Sequence, residues 1–152
     1  MKRVNYIIPE SDFFDLSTGG GQVAHAINLA EGLSAHCDLK LYGHTDMRNF
    51  ELSFKHTGVK WSKGLIGRLF FPLRLLLILR KTKADVYLVR KTALFLIWFP
   101  LYRKLLKGKL VLEINGLSAH NAKGENTSSV IKILLFKLHT LTLKSCDGIY
   151  TV

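Results

Sequence analysis

Short apolar runs, each followed by a longer segment of helical period, recur along this 152-residue chain, and that alternation restricts it to the α/β class. Val4-Asn5-Tyr6-Ile7-Ile8 reads as a buried first strand closed by Pro9. A helix is expected over 22–35, with Val23, Ala26, Ile27, Ala30 and Leu33 on one side while His25, Asn28 and Glu31 face elsewhere. A second strand spans 38–42 and stops at Gly43, and a third is expected over 51–56. Residues 64–81 read as a helix entered through a turn and bent near Pro72. A strand over 86–89, a helix over 93–106 around Pro100 and a strand over 110–114 follow, the last continuously apolar as buried parallel strands are. A long helix over 128–144 leads to the start of one more strand at 148–152. The expected architecture is a three-layer α/β/α, Rossmann-like domain with a mainly parallel sheet. Because the chain stops inside a strand, it reads as truncated or as one part of a split protein.

The length suits one domain with a real core and is too short for two. Apolar residues at 48% against charged residues at 22% exclude a disordered chain. Met1-Lys2-Arg3 resembles the start of a signal segment, but Pro9, Glu10 and Asp12 interrupt the apolar stretch behind it. The longest uncharged apolar run, 92–102, is too short to cross a bilayer, which takes roughly 20 apolar residues. Cys37 and Cys146 lack CxxC spacing and a nearby histidine pair, so they read as reduced structural thiols of a cytoplasmic protein, with no metal site.

Charge is unevenly distributed. Residues 1–54 carry a net −3, residues 55–109 a net +13 and residues 110–152 a net +1. The basic middle third is also aromatic, and its candidate membrane-facing residues are Lys63, Arg68, Arg74, Trp98, Arg103, Lys104 and Lys107. Apolar and aromatic bodies beside cations suit anionic lipid headgroups. Nucleic acid accepts such a surface too, and the plain alternative is solvated cations above buried helix faces. An anionic membrane surface, and not nucleic acid, is the expected partner.

Two segments could bind a ligand. Ser17-Thr18-Gly19-Gly20-Gly21-Gln22 lies between the first strand and first helix. Its glycines let the backbone approach a phosphate, and a helix N-terminus favours an anion. It matches neither the dinucleotide GxGxxG pattern nor a Walker loop, and a flexible turn is the alternative. Glu113-Ile114-Asn115-Gly116-Leu117-Ser118-Ala119-His120 sits at the carboxyl end of a buried strand, where open α/β sheets bind ligands. Glu113 and Asn115 share one strand face; the plain alternative is a buried Glu113 bonded to backbone amides, with His120 a loop histidine. Arg90 ends the strand that begins at Val86, at the same edge of the sheet, where a guanidinium can bind an anion or pair with Glu113.

These pieces, in this order, resemble the N-terminal domain of the retaining, family-four glycosyltransferases of the GT-B fold. The resemblance runs through the first strand, the glycine loop and Val23-Ala24-His25-Ala26-Ile27-Asn28-Leu29-Ala30-Glu31-Gly32-Leu33. It continues through Ala84-Asp85-Val86-Tyr87-Leu88-Val89-Arg90, Leu112-Glu113-Ile114-Asn115-Gly116 and Ser145-Cys146-Asp147-Gly148-Ile149-Tyr150-Thr151-Val152. It implies the N-terminal, acceptor-side half of an enzyme that moves a sugar from a nucleotide-diphosphate sugar to a glycan or lipid-linked acceptor in cell-surface polysaccharide synthesis, peripherally on the inner face of the cytoplasmic membrane. Gly19, Gly20, Gly21 and Asn115 are then the donor- and phosphate-side candidates, and His25, Arg90, Glu113 and His120 the acceptor or cleft candidates. The nucleotide sugar is a substrate and no cofactor is expected. The donor-binding second domain has no counterpart in these residues, so negligible activity is expected of the chain alone. The alternatives are a non-catalytic docking subunit of a split glycosyltransferase, working with a separate donor-binding subunit, and a phosphate-ligand domain of flavodoxin-like topology.

Overall fold

A computed structural model describes residues 1–15, 20–92, 94–114 and 129–151. Gly19, Asn115 and His120 lie outside the described residues. In chain order the elements are β1 (Arg3–Ile7), α1 (Gly20–Ser34), β2 (Asp38–His44), a 3₁₀ helix (Thr45–Asn49), β3 (Lys55–Val59) and α2 (Gly64–Leu79). They continue as β4 (Val86–Arg90), α3 (Phe95–Leu105), β5 (Lys109–Ile114), α4 (Ser129–Ser145) and β6 (Gly148–Thr151). The six strands form one sheet in the order β3-β2-β1-β4-β5-β6, with every neighbouring pair parallel. This is the doubly wound, Rossmann-like order, and it reverses direction between β1 and β4.

Alternation along each strand divides the core. Tyr6, Leu41 and Leu88 join α1, which buries Val23, Ala26 and Ala30. Ile7, Tyr42, Val89 and Leu112 meet α2 and α3 on the opposite face, with Leu143 and Cys146 packed beside them at the end of α4. One face of the sheet therefore carries α1 and the other carries α2, α3 and α4. Phe13, Phe14, Met47 and Phe54 close the remainder of the α1 face from loops and the 3₁₀ turn.

The link between β2 and β3 is too short for an ordinary crossover helix, so a 3₁₀ turn replaces it. His44 caps that turn. Its Nδ1 accepts the Asp46 N–H at 3.3 Å, which leaves Nε2 to donate to the Trp61 carbonyl at 3.0 Å. Two expected boundaries change here. The third strand is Lys55–Val59 and not 51–56, because Phe54 turns into the α1-side core before pairing with β2 begins. The second strand runs on through Gly43, which pairs with Gly58. A Cβ at Gly43 would lie 2.8 Å from the Phe14 ring, so glycine there admits an aromatic and does not stop the strand.

Pro72 lies inside α2 and removes one helix N–H. Helix α3 docks at this point: the Trp98 indole donates to the Leu69 carbonyl at 2.6 Å and the Tyr102 hydroxyl to the Pro72 carbonyl at 2.7 Å. Burial pushes the Tyr102 phenol well above its usual range, which keeps it a neutral donor. Before α2 the chain folds back against Gly67, where a Cβ would fall 1.9 Å from the Ser62 carbonyl oxygen.

Candidate functional site

The carboxyl ends of β1, β4 and β5 meet where the strand order reverses, the place where open α/β sheets form a ligand crevice. Arg90 and Glu113 are paired residues of β4 and β5 and therefore share the α1 face. Glu113 is fully buried. Its Oε1 receives Arg90 Nη1 at 2.6 Å and its Oε2 receives the Tyr6 hydroxyl, from β1, at 2.5 Å. The Phe13 ring lies 4.8 Å from the guanidinium carbon of Arg90. A carboxylate taken this far from water is tolerated because a cation and a second donor face it together. Burial, reinforced by the neighbouring Glu113 charge, pushes the Tyr6 phenol far above its ordinary range, so it remains a donor.

Of the two bonding patterns expected at this strand end, the structure has the ion pair. Arg90 faces Glu113 and Phe13 and is itself buried, so it does not offer an open anion site. His25, on α1, leans over the pair, with Nε2 3.7 Å from Glu113 Oε1 and about a third of its side chain exposed. That Nε2 is buried with no hydrogen-bond partner among the described residues.

Gly20 and Gly21 form the start of α1, at the same edge. Among the described residues a Cβ at either would meet nothing within 4 Å, and neither residue has a left-handed backbone. Packing among the described residues therefore gives no reason for glycine at either position. First-turn N–H groups of a helix have no partner within it.

Across the switch point, Pro9, Glu10, Arg68, Thr92 and Leu94 line a small crevice of about 140 Å³. Burial raises the Glu10 carboxyl above its usual range, and Asp12 adds to the effect. Arg68 reaches over the same loop to Asp12, Nε donating to Oδ2 at 2.7 Å. Ser11 Oγ and Asp12 Oδ1 are buried and have no partner among the described residues. With His25 Nε2, every buried side-chain polar atom without a hydrogen bond among the described residues comes from the β1–α1 loop or from α1. Buried polar atoms are normally paired with protein groups or ordered water.

A larger cavity, about 330 Å³, lies at the opposite edge, lined in part by Arg80, Thr82, Lys83, Tyr87 and Lys107. Two of its polar groups already have partners: Thr82 Oγ1 donates to the Leu79 carbonyl and the Tyr87 hydroxyl to the Thr82 carbonyl. Size alone favours this cavity, but topology favours the crevice.

The residues expected to face a membrane divide into two sets. Lys63 pairs with Asp46 at 2.8 Å and Asp15 at 3.0 Å, Arg68 with Asp12, and Arg103 with Asp147 at 2.6 Å. Trp98 is half-buried with its indole N–H on Leu69. Arg74, Lys104 and Lys107 are exposed. Sequence reasoning missed Tyr6, Glu10, Ser11, Asp12 and Phe13. The available signal was three polar residues directly after Pro9, at the carboxyl end of the first strand.

Fold and site together define a Rossmann-like α/β domain with a small crevice at its topological switch point. No protein-family model matches the chain, and no curated protein matches it in sequence. Among the described residues no helix is long and apolar enough to cross a membrane.

Proposed function

We propose that the chain is the acceptor-side, Rossmann-like half of a retaining glycosyltransferase that uses a nucleotide-diphosphate sugar and acts peripherally at a membrane. A second domain or subunit supplies the rest of the nucleotide pocket, and the acceptor is a glycan or a lipid-linked sugar. The observation that carries this reading is that the open glycine start of α1 and the buried polar atoms of Ser11, Asp12 and His25 that make no hydrogen bond among the described residues all lie at the carboxyl end of the strands. A diphosphate suits the helix start, where N–H groups and the helix dipole favour an anion. Sugar hydroxyls, which both donate and accept, suit the mixed set formed by a hydroxyl, a carboxylate oxygen and an imidazole nitrogen. Arg90, Glu113 and Tyr6 act beneath the site as its rigid floor.

Amide NMR during titration with a panel of nucleotide-diphosphate sugars tests the reading. Shifts centred on Gly20, Gly21 and His25 are expected, and Gly21→Val should weaken them without unfolding the chain, since a Cβ there meets open space. Absence of shifts with every member of the panel, or equal binding by the variant, would count decisively against it. Purified chain alone should show negligible transfer; robust turnover would refute the half-site reading. A docking subunit of a split glycosyltransferase is the second reading, favoured by the acid-free outer surfaces of α2, α3 and α4.

A further inference from the structure

The three helices on one face of the sheet contain no aspartate or glutamate along their whole lengths. Each also turns an apolar stripe away from the core. In α2 the buried residues are Gly67, Phe71, Pro72, Leu75, Leu76 and Leu79, whereas Ile66 and Phe70 are exposed one turn apart and Leu77 continues their line. In α3, Phe95, Phe99 and Tyr102 face the core while Ile97, Leu101 and Leu105 repeat every fourth residue outward. In α4, Ile133, Phe136 and Leu141 are exposed, Phe136 at 71%. The cations on these surfaces include Arg74, Lys104, Lys137 and Lys144, all exposed. Helix α1 has no exposed large apolar side chain.

We infer that the outer face of the α2–α3–α4 layer is the surface by which the chain lies on an anionic phospholipid bilayer. The inference sharpens the peripheral-membrane part of the proposed function and does not depend on its sugar chemistry. Because the three helices pack on one sheet face, their outward stripes belong to one continuous side of the molecule. Bare Ile, Leu and Phe side chains among cations match a bilayer, which offers hydrocarbon below a layer of negative headgroups. A second copy fits poorly, since it would bring two acid-free, cationic surfaces together. Nucleic acid would match the charge but leave the aliphatic stripes without a partner. The surface differs from the basic middle third of the sequence in two ways. It includes α4, which lies outside that segment, and it omits Lys63, Arg68 and Arg103, whose charges face Asp15, Asp46, Asp12 and Asp147.

The test is co-sedimentation of the whole chain with vesicles of phosphatidylglycerol and phosphatidylcholine, beside vesicles of phosphatidylcholine alone. The wild type should bind the anionic vesicles at least about tenfold more tightly, and added salt should reduce the difference. Ile66→Glu with Leu101→Glu, and separately Arg74→Glu with Lys104→Glu, should each lower affinity about tenfold or more. Lys2→Glu with Arg48→Glu makes the same change in net charge as the second pair on exposed positions outside the layer, and should retain binding. All six positions are exposed, and circular dichroism identifies any variant that fails to fold. Equal binding to the two vesicle types, or none, overturns the inference. So does an equal loss in the Lys2/Arg48 control, which would make bulk charge the cause. Sedimentation equilibrium supplies a further check. A dimer that Ile66→Glu with Leu101→Glu dissociates would make a second copy the occupant. Sugar-nucleotide titrations read the crevice separately, so failure here leaves the glycosyltransferase reading standing, and the reverse.

Discussion

Helices α1 and α3 cover opposite faces of one sheet, and their outer surfaces differ more than their inner ones. Both turn apolar side chains to the strands: Val23, Ala26 and Ala30 from α1, and Phe95, Phe99 and Tyr102 from α3. Outward, α1 shows water Gln22, Asn28 and Glu31, as a helix of a soluble face does, whereas α3 shows Ile97, Leu101 and Lys104. The inner residues of α1 are small, and His25 on the same helix reaches to within 3.7 Å of the buried Glu113. The aromatic inner residues of α3 fill the opposite core and anchor it to α2 at Pro72. The α1 face thus holds the buried Arg90–Glu113 pair beneath a polar outer surface, whereas the α2–α4 face carries the exposed apolar side chains.

Removing one member of the buried ion pair should test the polar side most severely. Glu113→Ala leaves Arg90 charged and dehydrated, and urea denaturation should find it less stable by about 3–5 kcal/mol. Arg90→Met combined with Glu113→Leu should recover most of that loss; a double variant as unstable as the single one would mean that the site needs charge and not just filling.

Glycines should separate the two sides next. Gly67→Ala drives a methyl into the Ser62 carbonyl, and a loss of about 1–3 kcal/mol is expected in thermal or chemical unfolding. Gly20→Ala meets open space in a helical backbone and should be neutral or stabilising by up to about 1 kcal/mol. Reversed signs would contradict the packing described for both helix starts. A smaller effect is expected of Trp98→Phe, which removes one donor from the Leu69 carbonyl at the α2–α3 joint; about 1 kcal/mol should be lost.

The smallest expected effects concern pH. Burial raises the folded-state pKa of Glu10, so its folded form favours the proton. The stabilisation is complete below the ordinary carboxylate range and is lost as pH rises through the raised value. Glu10→Gln should therefore become more stable than wild type at neutral pH and lose that advantage in acid. Asp147 behaves oppositely, because the Leu110 N–H and then Arg103 hold its carboxyl below the usual range. Its contribution is present above the ordinary range and disappears as pH falls through the lowered value. Parallel melting curves of Glu10→Gln and Asp147→Asn across acid pH should converge on wild type for different reasons, and a shared pH trend would break the assignment.

Strand and helix order was legible in the chain because each element carries its own period. Runs such as Leu110-Val111-Leu112 cannot face water on either side, and Val23, Ala26 and Ala30 repeat at helical spacing. The β2–β3 link was not legible, since 51–54 looks like a strand until Phe54 is seen entering the α1-side core. At the site, Glu113, Arg90, Gly20 and Gly21 were found from strand ends and glycine content, and His25 was a candidate only through the family resemblance. Tyr6 was missed because a tyrosine in an apolar strand looks like core until its hydroxyl is found to meet a carboxylate 107 residues away.

By itself, the sequence determined the α/β class, the parallel character of the central strands, the concentration of cations in residues 55–109 and the polar nature of the segments after the first strand. These follow from local periodicity and from counting charges, and no fold is needed to see them. Only the tertiary structure decided which charges remain open. It paired Arg90 with Glu113 and Lys63 with Asp46, and it put the acid-free faces of α2, α3 and α4 on one side of the sheet. The reason is that strand order joins distant segments. β1 lies between β2 and β4, so polar groups far apart in the chain share one crevice, while helices from three separate crossovers share one surface.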